Sequence, residues 1–145
     1  MRQLTLLRHG RAEWPAGRYA DFDRPLDPTG IAQVEHSAMQ IAALPHPPTL
    51  CLASDAARTR ETAQRLAHAL GLPAEAVRFE HRLYLAAPEV IRQVLAEQAA
   101  RRRYVVLVGH NPGLSELAGE LAGTPGSVGL GTGQWRQYPM GPHGS

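Results

Sequence analysis

Apolar residues along this chain gather into short runs, and the runs alternate with stretches of helical spacing. Residues 4–7 (Leu-Thr-Leu-Leu), 50–53 (Leu-Cys-Leu-Ala) and 105–108 (Val-Val-Leu-Val) read as buried strands. Ile31, Val34, Ala38 and Ile41 recur at steps of three and four, which predicts a helix over 28–44. Asp27 suits its cap and Pro28 its first turn, and Pro45, Pro47 and Pro48 end it. A second helix is expected over 56–70, capped by Asp55 and stopped by Gly71. A weak strand follows at 77–80. A third helix spans 88–100, with Val90, Ile91, Val94 and Leu95 facing inward. A fourth starts near Pro112 or Gly113 and turns Leu114, Leu117, Ala118 and Leu121 to one side. Residues 134–138 complete the series as a closing strand. This order predicts an α/β fold: a three-layer sandwich with a mostly parallel central sheet and helices on both faces.

The chain has 145 residues, which fits one domain, expected over 1–139 with a disordered tail over 140–145. No apolar run approaches the ~20 residues of a membrane span, so no membrane partner is expected. The first strand begins almost at once, which leaves no room for a secretory leader. A single cysteine, Cys51, excludes an internal disulfide framework and suggests a reducing cytoplasm. The net charge is +2, and all fifteen basic residues are arginine. Only Arg101, Arg102 and Arg103 form a run. It lies in a helix-to-strand connection without interleaved aromatics, which argues against a nucleic-acid partner. A monomer is expected.

The chemistry sits where the strands end. Residues 4–7 lead into Arg8-His9-Gly10, 50–53 into Ser54 to Arg58, and 105–108 into Gly109-His110-Asn111. In an open parallel sheet, ligands bind in the crevice beyond the carboxyl ends of the strands. If the three runs lie side by side, His9, Arg58 and His110 meet. Guanidinium forks match phosphate oxygens. A neutral imidazole can attack phosphorus. Gly10 lets backbone approach a ligand, and Arg58 opens a helix whose N-terminus favours an anion. His9 and His110 have no third ligand at recognisable spacing, so no metal and no cofactor are expected. Six residues separate Cys51 from Arg58, one more than in the cysteine-phosphatase loop, and Cys51 lies inside a strand. An inert buried thiol is the better reading. Residues 11–26 lack periodicity and carry Trp14, Tyr19 and Phe22, as a functional loop would.

Together, Leu7-Arg8-His9-Gly10, the Ser54…Arg58…Thr62 pattern and Val108-Gly109-His110-Asn111 resemble the histidine phosphatase superfamily. Arg24-Pro25-Leu26 before Thr29-Gly30, and Gly109 to Gly113, are most similar to its SixA-like phosphohistidine phosphatase branch. The resemblance implies that His9 is the phosphorylated nucleophile. It implies a phosphate pocket of Arg8, Arg58 and His110, with Gly10 and Asn111 also at the substrate. The substrate would be a phosphohistidine-bearing protein or a small phosphorylated metabolite; a non-catalytic phosphate-binding module is the remaining alternative. Larger members of the superfamily carry a carboxylate that protonates the leaving oxygen. Glu80 is the best candidate here, ahead of Glu13, Asp21 and Asp23. An easily departing imidazole needs less help from an acid.

Overall fold

The computed structural model describes residues 1–14 and 17–141. Five strands and four helices alternate as expected: β1 (Gln3–Arg8), α1 (Pro28–Ala42), β2 (Leu50–Ala53), α2 (Ala57–Leu70), β3 (Val77–Phe79), α3 (Pro88–Gln98), β4 (Tyr104–Gly109), α4 (Gly113–Ala122) and β5 (Trp135–Pro139). The sheet order is β3-β2-β4-β1-β5. The β2–β3, β2–β4 and β1–β4 pairs are parallel, and only β5 runs antiparallel, against β1.

Alternation along the buried strands assigns the two faces. Leu4, Leu6, Leu50, Leu52, Val105 and Leu107 pack under Ile91, Val94 and Leu95 of α3 and Leu114, Leu117 and Ala118 of α4. Leu7, Cys51, Ala53, Val106 and Val108 point the other way, against Ala38 and Ile41 of α1 and Ala63 and Leu66 of α2. The result is the three-layer α/β sandwich that the pattern predicts.

Local chemistry explains the helix boundaries. The Asp27 carboxylate accepts the Gly30 amide at 2.7 Å and so caps α1. Gly71, at φ 65°, closes α2 in the left-handed conformation. The expected Asp55 cap is not made. Ala56 holds the cap position without a side-chain bond, and the Asp55 carboxylate pairs instead with His81 Nδ1 at 3.0 Å. Short 3-10 turns at Asp21–Asp23, Ala74–Ala76 and His81–Leu83 were not expected from the pattern. Of the expected tail, residues 142–145 lie outside the described residues. Met140 donates its amide to the Arg2 carbonyl at 2.7 Å and packs on the core. Among the described residues, no helix is long and apolar enough to cross a membrane.

Candidate active site

Strand register brings the two histidines together. Arg8 pairs with Gly109 across the β1–β4 ladder, so the next residue of each strand leaves the sheet at the same height. The His9 amide still donates to the Gly109 carbonyl at 3.2 Å. The rings of His9 and His110 lie 5.3 Å apart between centroids. On the other side of β4, Ala53 pairs with Val108, and Ser54 stands beside the same crevice. Arg58 reaches in from the first turn of α2. His9, Arg58 and His110 are all buried. Arg8, His9, Arg58, His110, Asn111 and Asp21 share one cavity of about 490 Å³.

Each imidazole has a defined set of partners. His9 Nδ1 lies 2.7 Å from the Gly10 carbonyl, which can only accept, so Nδ1 carries the proton. That leaves the Nε2 lone pair free to face the Nε–H of Arg58 at 3.3 Å. His110 Nε2 lies 2.8 Å from the Ser54 hydroxyl, while its Nδ1 is buried and has no partner. With Ser54 donating to Nε2, Nδ1–H becomes a free donor. Burial pushes the His9 pKa down to about 3, with Arg58, Arg8 and Arg24 adding to the effect against the Gly10 bond, which opposes it. Burial, then His9 and Arg58, hold His110 at about 3 as well. Both rings are therefore neutral at pH 7.

The two arginines differ in their commitments. Arg8 Nη1 donates to the Leu130 carbonyl at 3.1 Å, but its Nε is buried without a partner. Arg58 Nη1 donates to the Asp21 carbonyl at 2.7 Å, and Nη2 to the Asp21 carboxylate at 3.1 Å. That carboxylate also accepts Arg24 Nε at 3.1 Å and the Tyr84 hydroxyl. The Tyr84 bond, with Arg58 and Arg24, lowers the Asp21 pKa to about 2. Asp21 is thus ionised, and its chemistry is to steer Arg58 rather than to give a proton. Arg8 Nε and His110 Nδ1 are the buried side-chain atoms left without a hydrogen bond among the described residues. Orphaned buried donors are rare in folded proteins and mark a place for a ligand.

Two small residues complete the geometry. The Gly10 amide donates to the Thr62 hydroxyl at 3.2 Å, and that hydroxyl donates to the Arg58 carbonyl at 2.7 Å. A Cβ on Gly10 would lie 2.6 Å from the Gly30 carbonyl oxygen, and one on Gly30 would lie 1.9 Å from the Arg11 oxygen. Only glycines allow this close approach of the loop to α1.

One expected position needs correction, and a second carries contacts within the fold as well. Glu80 is not in the crevice. It follows β3, the outer strand of the sheet, and its carboxylate accepts Arg82 Nη2 at 2.8 Å and Gln98 Nε2 at 3.1 Å. Asn111 lines the cavity, but its carboxamide serves the fold. It donates to the Leu130 carbonyl at 2.9 Å and accepts from the amide and hydroxyl of Ser115 at 3.1 and 2.8 Å. Tyr84 went unnoticed in the sequence, and Asp21 drew notice only as an acid. Their meeting depends on two distant loops, and no local signal announces it. Thr132, from the glycine-rich segment before β5, also lines the cavity.

Fold and crevice define a three-layer α/β protein with an arginine- and histidine-lined cavity at the carboxyl edge of its parallel strands. The sequence model of the histidine phosphatase superfamily (branch 1) matches residues 4–83, and the chain belongs to that superfamily. It is similar to an uncharacterized protein of Mycobacterium tuberculosis, 36% identical over 121 residues, which cover 83% of this chain and 73% of that one. It is also similar to an uncharacterized chloroplastic protein of Arabidopsis thaliana, 33% identical over 130 residues and 84% of this chain; the match spans 60% of the length of that relative. Among solved structures, a "putative phosphohistidine phosphatase SixA" from Agrobacterium tumefaciens superposes with a TM-score of 0.81 at 31% identity, covering 94% of this chain and 90% of the other. A protein histidine phosphatase SixA complexed with tungstate superposes with a TM-score of 0.72 at 19% identity, covering 94% and 96%; at that identity the likeness shows the fold.

Proposed function

We propose that this chain is a phosphatase that works through a phosphohistidine on His9 and that its substrate is a phosphohistidine-bearing protein. The observation that carries the reading is the pair of unpartnered buried donors, Arg8 Nε and His110 Nδ1, flanking a histidine whose Nε2 is held unprotonated and accepts the Nε–H of Arg58. In the first step Nε2 of His9 attacks phosphorus in line. The N–P bond of the substrate breaks, and the departing imidazole takes a proton from solvent. The Nε–H of Arg58, displaced from Nε2, donates its hydrogen bond to a phosphoryl oxygen instead. Arg8 and Arg58 neutralise the equatorial oxygens, where transition-state charge collects, and the Nδ1–H of neutral His110 donates a further hydrogen bond. In the second step water attacks phosphorus, the bond to Nε2 breaks, and inorganic phosphate leaves.

The crevice favours phosphohistidine over an alkyl phosphate ester. Asp21 is the one carboxylate lining it among the described residues, and that group is ionised. An alkoxide leaving group needs a proton that no such neighbour supplies, whereas imidazole departs more easily. The similarity to the Agrobacterium protein points the same way. The test is to incubate wild type and His9→Ala with a radiolabelled phosphohistidine protein and quench with base. Wild type is expected to take up acid-labile phosphate and release it, and the variant to do neither. Labelled His9→Ala would end the assignment. Turnover of sugar or nucleotide phosphates with none of the phosphohistidine protein would move the substrate to a small metabolite.

A further inference from the structure

Among the described residues, three large apolar side chains are exposed: Trp14 at 79%, Met39 at 72% and Leu85 at 51%. Two of them, Trp14 and Leu85, stand at the mouth of the crevice that holds His9. They come from separate parts of the chain. Trp14 belongs to the loop after β1, and Leu85 to the link between the His81–Leu83 turn and α3. Water-facing tryptophan and leucine gain nothing from the fold, and their placement around one opening calls for an occupant.

The backbone at Leu85 strengthens the case. It is the one non-glycine residue with positive φ among the described residues, at 51°. Glycine or asparagine fits that conformation with less strain than a leucine. Backbone strain persists where the surroundings enforce it, and it clusters at ligand-contacting positions. Here the surroundings are firm. Tyr84 bonds Asp21, and its ring meets Phe22 edge-on at 5.0 Å and His110 edge-on at 5.4 Å. Leu85 is thus exposed beside a Tyr84 ring that packs edge-on against both Phe22 and His110.

The occupant follows from what must enter. Whatever delivers a phosphoryl group to His9 enters a cavity that Trp14 and Leu85 help to line. A small phosphorylated metabolite is polar throughout and gains little from apolar flanks. A protein that presents phosphohistidine brings neighbouring apolar side chains with it. We infer that Trp14 and Leu85 form an apolar collar that binds a protein surface around the phosphohistidine and selects it over small phosphate compounds. This inference rests on the reading of His9 as the nucleophile.

The experiment compares two donors that react at the same histidine. One is phosphoimidazole. The other is a histidine phosphotransfer domain phosphorylated with phosphoramidate. Variants are Trp14→Ser, Leu85→Asn and the double variant. Expected is a rise in KM for the phosphorylated domain, about tenfold for each single variant. The kcat on that donor and kcat/KM on phosphoimidazole should stay within about twofold of wild type. Leu85→Asn should also raise the thermal midpoint, because asparagine suits the left-handed backbone. Equal losses on both donors, or no loss on either, would overturn the collar. A wild-type protein that turns over neither donor and forms no acid-labile phosphate at His9 would instead overturn the reading of the site.

Discussion

Thr62 ties the loop that carries His9 to the helix that carries Arg58, and Thr62→Val cuts that tie while keeping its shape. Thr62 is fully buried. Its hydroxyl accepts the Gly10 amide at 3.2 Å and donates to the Arg58 carbonyl at 2.7 Å. Valine has the same branching and a similar helix propensity, so the hydroxyl is what the substitution removes. The Gly10 amide is then left in a buried place without that acceptor, at a cost of about 1–3 kcal/mol. With a urea slope of about 2 kcal/mol per molar, the unfolding midpoint should fall by roughly 0.5–1.5 M. The Gly10 carbonyl holds the His9 tautomer at 2.7 Å, so freeing that residue lets the ring tilt. A misplacement of about 1 Å costs on the order of a hundredfold in rate, and we expect kcat to drop about ten- to a hundredfold. Thr62→Ser keeps the hydroxyl and loses one methyl. It should cost about 1 kcal/mol and leave kcat within a few-fold of wild type. The assays are urea unfolding and steady-state turnover of phosphoimidazole. A valine variant with an unchanged midpoint, or one matching serine in kcat, would refute the bridge.

Three further outcomes are expected. Both site imidazoles have folded pKa values near 3, below the ordinary 6.5, so above pH 6.5 they are neutral in both states and contribute no pH dependence. As pH falls below 6.5 the unfolded chain takes up protons that the folded one refuses, and stability drops by on the order of 2 kcal/mol per imidazole by pH 5. A denaturation midpoint that is flat between pH 7 and 5 would contradict this. Glu80→Gln should keep turnover within about twofold, since its carboxylate serves Arg82 and Gln98 rather than the crevice; a pH-dependent collapse of kcat would restore it as an acid. Burial pushes the Cys51 thiol up to about 12, so the native protein should resist an aromatic disulfide reagent that labels it rapidly in urea.

Strands β1, β2 and β4 were legible because strands buried on both faces must be apolar throughout, and turn residues bracket each run. The meeting of His9 and His110 was legible for the same reason. His9 and His110 stand one residue beyond two such strands, and a parallel ladder in register aligns their ends. Contacts between loops were not legible. Asp55 looked like a cap in sequence, but His81 lies close enough in space to claim its carboxylate. Glu80 follows a strand just as His9 does, yet the position of β3 at the sheet edge keeps it from the centre. The glycine-rich segment had no periodicity to read. Its use lies in backbone groups: the Leu130 carbonyl accepts from both Arg8 and Asn111, and the Gly133 amide donates to the His9 carbonyl at 2.8 Å. Backbone donors and acceptors are the same in every sequence, so composition gives no hint of them.

The cavity takes its walls from Arg8 at one extreme to Thr132 at the other, with α2 contributing from between. No stretch of the chain short of nearly the whole can assemble it. During refolding, helices and the local hairpins of loops can form early, but β1 and β4 must still find each other across about a hundred residues, a search that is slow for parallel pairing. Recovery of turnover therefore marks the final stage of folding, and it should lag behind the return of helical circular dichroism.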